Sequence, residues 1–113
     1  MTSLHPPSPQ EDLVHRVRVA MASLANLREV RMFGGLSFMV DERLAVSAGI
    51  DGTLLVRIAP AEYDQLCQRG GKPAYMGKGR PMGPGWLTVP AECLQDDGEL
   101  AYWINVGIDS SIA

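Results

Sequence analysis

Apolar residues recur at every second position through the middle of this chain and at every third or fourth position towards its two ends. Leu36, Phe38 and Val40 form one alternating set, Leu44, Val46 and Ala48 a second, and Leu54, Val56 and Ile58 a third. A period of two places such residues on one face of a strand, so three strands are predicted. Asp41 and Glu42 make the turn between the first two. Ile50-Asp51-Gly52-Thr53 makes the next, because Asp-Gly suits turns that need positive φ. Both connections are too short for parallel crossovers, and the strands therefore form an antiparallel meander.

The helical spacing lies on either side. Ser8-Pro9-Gln10-Glu11 reads as a helix start, with Ser8 as cap, Pro9 in the first turn and Glu11 closing a capping box. Leu13, Val14, Val17, Met21 and Leu24 then fall on one stripe, which predicts a helix to about Leu27. Residues 59–71 form a short helix opened by Pro60 and closed by Gly70. Tyr75-Met76 and Trp86–Val89 read as two short strands around a loop rich in glycine and proline. Pro90 and Glu92 begin a further short helix. Asp96, three residues before Glu99, caps a last one, in which Leu100, Trp103, Ile104, Gly107 and Ile108 repeat with amphipathic spacing.

A sheet of this kind needs one face covered, and the first and last helices are its natural cover. The expected fold is α+β: an antiparallel sheet, a meander plus a hairpin, with the N- and C-terminal helices packed on one face. The other face, carrying Ala45, Ser47, Leu55 and Arg57, is small or mixed in character, and is expected to stay partly open or to meet a partner. Residues 8–113 read as one domain, and residues 1–7 as a flexible tail.

Met32-Phe33-Gly34-Gly35 interrupts this regularity. Glycine packs nothing in a strand and loses the most backbone freedom on folding, so a pair of them marks a bend or a close approach. A bend that lets the strand cross the first helix while Phe33 turns into the core is the expectation, because no polar group in the run would orient a ligand.

Composition narrows the classes. At 113 residues with 46% apolar content the chain can close a core without disulfide or metal staples. No apolar run approaches a bilayer span, and no basic region followed by an apolar stretch opens the sequence, so a cytoplasmic protein without a membrane partner is expected. Cys67 and Cys93 lack CxxC spacing and read as reduced, half-buried thiols. His5 and His15 have no further soft ligands near them, and neither a metal site nor a cofactor is expected. All ten Lys and Arg lie within the first 80 residues, while residues 81–113 carry five acids and no base. With a net charge of −3 the chain lacks the broad basic footprint of an independent DNA-binding domain.

Four stretches in order, VRMFGGLSFMVDERLAVSAG (30–49), LLVRIAPAE (54–62), YMGKGRPM (75–82) and GWLTVPAECLQDDGELAYWINVGI (85–108), resemble the N-terminal domain of TfoX/Sxy-type competence regulators. The resemblance implies a small α/β module tied, in the founding members, to regulation of DNA uptake alongside a transcription factor. It brings no catalytic residues. Glu42 stands where relatives often carry Gly or Asn.

The residues themselves offer one candidate binding element. In GKGRPMGPG, 77–85, backbone N–H groups with Lys78 and Arg80 suit a phosphate or carboxylate. The stretch lacks the spacing of a P-loop or a dinucleotide fingerprint. Arg31 and Arg57 would join Lys78 and Arg80 in one basic patch if all four lie on the helix-free face. Trp103 is expected in the core, whereas Tyr102 and Trp86 are candidate interface aromatics, and Met32, Met39, Met76 and Met82 either fill gaps or make an adaptable surface. Ser47, Ser110 and Ser111 lack a nucleophile setting, and Asp96-Asp97 is explained by capping. The expected function is therefore a non-enzymatic regulatory and protein-interaction module with a protein partner, connected to transcription, or a second copy in a homodimer. Binding of a small anion, nucleotide or nucleic acid through the 77–85 loop is the alternative, with direct nucleic-acid contact the weaker part of it. An enzyme is the least supported reading.

Overall fold

The computed structural model describes residues 8–32, 34–76 and 79–112, without the side chains of Met76, Ser111 and Ile112. The tail at 1–7, Phe33, Gly77 and Lys78 lie outside the described residues.

Helix α1 spans Pro9–Ala20. Its start follows the sequence: Ser8 Oγ accepts from the Glu11 N–H at 3.1 Å, and the Glu11 carboxylate accepts from the Ser8 N–H at 2.8 Å. The helix ends seven residues before the expected Leu27, and Leu27–Met32 form strand β1 instead. The stripe that suggested a longer helix holds as far as buried Met21. Beyond it, Leu27 pairs with Val40, so sheet pairing replaces helical periodicity.

Strands β2 (Gly35–Val40), β3 (Arg43–Ala48) and β4 (Leu54–Arg57) continue the meander. A 3₁₀ turn at Pro60–Glu62 leads into α2, Tyr63–Gln68. The short strands β5 (Lys72–Pro73), β6 (Tyr75–Met76) and β7 (Arg80–Pro81) precede β8, Trp86–Val89. A second 3₁₀ turn, Ala91–Cys93, precedes helix α3, Asp97–Ile112. The Glu99 N–H donates to Asp96 Oδ2 at 2.9 Å, the expected cap. The main sheet has the order β1-β2-β3-β4-β8-β5 with every pairing antiparallel, and β6 with β7 forms a separate hairpin.

The glycine pair acts in two ways. Gly34, at φ +76°, sits in the turn joining β1 to β2, where Met32 pairs with Gly35. The expected bend is thus a complete chain reversal. Gly35 is a close approach: a Cβ there would lie 2.9 Å from both the Ala48 carbonyl oxygen and Ser47 Oγ. Gln10 secures the corner, its amide donating to the Gly34 and Ala48 carbonyls at 3.1 and 3.0 Å.

Helices α1 and α3 cover one face. The core between them and the sheet contains Val17, Phe38, Val46, Val56, Leu87, Trp103 and Ile104. Gly107 lets α3 settle onto β3, since a Cβ there would fall 2.6 Å from the Ala45 carbonyl oxygen and 2.7 Å from Val46 Cγ1. Arg16 ties the helices together, one Nη donating to the Leu94 carbonyl at 2.6 Å and to Asp97 at 2.9 Å. Arg69 reaches Glu99 and stacks on Tyr102, 3.6 Å from the ring centre, which accounts for that aromatic within the fold. Among the described residues no helix is long and apolar enough to cross a membrane.

Candidate functional site

The face of the sheet away from the helices is concave, and residue size along the strands explains why. Across its middle the strands present Gly35, Ser37 and Ser47, which are too small to fill the surface. Around them stand Met32, Met39, Leu44, Leu55 and Trp86, enclosing a half-open trough of about 550 Å³. Tyr75 and Met82, from the β6–β7 hairpin and the residue after it, complete one wall.

A register shift contributes to this wall. Between Phe38 and Met39 the β2–β3 ladder gains a residue on β3, so that Phe38 faces Val46 but Met39 faces Leu44. A bulge of this kind re-aims side chains. Leu44, expected in the core with Val46 and Ala48, lines the trough, and Ala45, expected on the open face, is fully buried with its carbonyl towards α3.

The floor is polar at one point. Ser37 and Ser47 are directly opposite and buried, and Ser37 donates to Ser47 Oγ at 3.1 Å. One hydroxyl proton is used between them, and the other remains for a second acceptor.

Arg57 is half-buried at the edge of the trough. Its Nε donates to the Leu44 carbonyl at 2.8 Å, and its guanidinium carbon lies 4.4 Å from the centre of the Trp86 ring. Register produces the stacking, since Arg57 and Trp86 are partners across β4 and β8. Burial, with Arg43 nearby as a second cause, pulls the Arg57 guanidinium below its ordinary pKa. Among the described residues no carboxylate pairs with Arg57 or with Arg43, which also lines the trough. Glu42 lines it too, but its carboxylate is engaged by Arg28.

The four cations singled out in the sequence are not brought together. Arg57 is on the trough. Arg31 pairs with Leu36, which puts it on the helix side of the sheet, exposed at the β1 edge. Arg80 is exposed on β7 and does not line the trough, and Lys78 lies outside the described residues. Sequence reasoning missed Arg43 as a trough residue, and it missed the seating of Arg57 against Trp86 because that follows from register between β4 and β8, which lie far apart in the chain. Among the described residues no group of three or more His, Cys, Asp and Glu is placed to hold a metal.

A six-stranded antiparallel sheet, helix-covered on one side and concave on the other, defines a small α+β module. The model of the TfoX N-terminal domain family matches residues 20–111, and the chain belongs to that family. Among curated proteins none matches this chain significantly.

Proposed function

We propose that this chain is a non-enzymatic regulatory module that docks a protein partner on the open face of its sheet. One observation carries the reading: the helix-free face is lined by methionine, leucine and tryptophan around a trough, where a solvated sheet face would alternate to charge. Met32, Met39 and Met82 give such a surface side chains that adapt to a partner's shape. The cations on the trough, Arg43 and Arg57, favour a partner segment that is apolar and acidic. A partner involved in transcription fits the family's association with competence regulation.

The test is capture with the purified chain, its Leu55→Glu variant, and Asn105→Glu on the exposed side of α3 as control. A protein retained by wild type and the control but lost with Leu55→Glu, and then bound again from purified components, supports the reading. Equal retention by all three, or none by wild type, overturns it. Measuring the oligomeric state of the same three samples reveals whether the occupant is a second copy of the chain.

A further inference from the structure

The open face holds a cation whose surroundings fit a narrower chemistry than protein docking. Arg57 is fixed on two sides, by its Nε bond to the Leu44 carbonyl and by the Trp86 ring. Those contacts determine its orientation and leave its Nη groups without an acceptor among the described residues. An arginine held against a carbonyl and a ring, yet lacking an anion, is pre-organised to receive one, because little side-chain freedom remains to be lost. Arg43 adds positive potential on the same trough, and the single acid there, Glu42, is taken by Arg28.

The rest of the trough states what the anion must be attached to. Met39, Leu44, Leu55 and Trp86 offer apolar walls, and about 550 Å³ is within the range of small-molecule sites. The Ser47 hydroxyl, with a proton to give, is the polar point on the floor. Phosphate groups with their several charges suit clusters of cations and backbone N–H groups, and among its described residues this site offers two arginines in an apolar setting.

We infer that the trough is a binding site for a small free monocarboxylic acid with an apolar body, its carboxylate on the Arg57 Nη groups and its body over Leu44, Leu55 and Trp86. The site stands on its own geometry, whether or not a protein docks on the same face. An acid bound there occupies the surface that a partner would use, so the two compete wherever both bind.

The probe is 4-phenylbutanoate, compared with 4-phenylbutan-1-ol and 4-phenylbutylammonium as neutral and cationic counterparts. Binding is read by calorimetry and by amide chemical shifts of the full chain. Wild type should bind the acid more tightly than the alcohol by about ten- to a hundredfold, the worth of a charge-assisted hydrogen bond, and the ammonium most weakly. Shifts should concentrate in β2, β3, β4 and β8. Arg57→Gln should remove the preference for the acid while leaving the alcohol's affinity nearly unchanged. Leu55→Trp, which fills the trough and spares the cation, should weaken acid and alcohol together. Equal affinity for the three probes in wild type, absence of saturable acid binding, or shifts scattered over the helix side overturns the inference. If Arg57→Gln melts early, the order of the three probes in wild type decides alone. Capture of a protein partner involves no acid, so failure there leaves this result readable.

Discussion

Replacing Gly107 with alanine sets two effects of opposite sign against each other. Glycine inside a helix costs about 1 kcal/mol relative to alanine, so in an exposed helix the change would stabilise. Here the new methyl carbon would lie 2.6 Å from the Ala45 carbonyl oxygen and 2.7 Å from Val46 Cγ1. Both neighbours belong to β3, and a backbone carbonyl at the centre of a sheet cannot rotate away as a side-chain tip can. Relief requires α3 to rise by roughly 0.5–1 Å, a gap that forfeits a quarter to a half of each dispersion contact it opens. The helix face that would lift carries Leu100, Trp103 and Ile104, all buried. Overpacking of this kind costs about 1–3 kcal/mol, and more where backbone is the obstacle, so a net loss of about 2 kcal/mol is expected after the propensity gain. For a domain of this size that lowers Tm by about 8 °C. Urea and thermal unfolding of Gly107→Ala measure it, with Asn105→Ala, on the exposed side of the same helix, as the propensity control. An unchanged or raised Tm for Gly107→Ala would show that α3 does not rest on β3 at this point, and would refute the packing argument.

Gln10→Ala removes the bonds to the Gly34 and Ala48 carbonyls and should cost about 1–2 kcal/mol in urea unfolding; Gln10→Glu should cost more, since a carboxylate then faces two carbonyl oxygens. Asp41 and Glu42 both hold positive φ, at 53° and 66°, a conformation costing non-glycine residues about 1–2 kcal/mol each. Replacing the pair with Asn-Gly should therefore raise Tm despite losing the exposed Arg28–Glu42 ion pair, worth at most about 1 kcal/mol, and a lower Tm would contradict the account. Three carboxylates are held below their ordinary pKa, Glu11 by the Ser8 N–H, Glu29 by its hydrogen bond from Arg18, and Asp51 by the Thr53 N–H. The unfolded chain takes up these protons first, so their contribution is whole above the ordinary carboxylate range near pH 4 and is lost as pH falls through the lowered folded values. Glu29→Gln should be less stable than wild type at pH 7, with a gap that closes as pH falls below the ordinary carboxylate range; a gap independent of pH would count against the pairing.

Much of the fold was legible because it is written in local pattern. The cap at Ser8, the Asp51-Gly52 turn, three of the meander strands and the stripe of α3 each depend on residues within a few positions of one another. Strand β1 was not legible, since Leu-Arg-Glu-Val-Arg-Met continues a helical stripe as readily as it alternates, and only pairing with β2 decides. The bulge opposite Met39 was hidden for a related reason. A one-residue shift reverses which side chains face the core, and Ala45 is small enough to sit on either side. The candidate site suffered most. Composition marks Lys78 and Arg80 in a glycine-rich loop and alternation marks Arg57 on the open face, but the seat of Arg57 is made by Leu44 and Trp86, which lie 13 residues before it and across the β4–β8 pairing. Arg31 went to the opposite face because its register partner on β2 is Leu36, a residue of the helix-covered side.

The clasp formed by Arg16 has a temporal consequence for synthesis. Its acceptor at Leu94 lies 78 residues further along the chain, so at translation rates of roughly 5–20 residues per second α1 emerges about 4–16 s before its anchor exists. A free segment of 12 residues holds helical shape only marginally in water, so α1 depends on contacts that arrive in stages, those of Gln10 with Gly34 and Ala48 before those of Arg16. The docking of α1 is therefore completed in two steps during synthesis, and the second waits until residues 94–97 have left the ribosome.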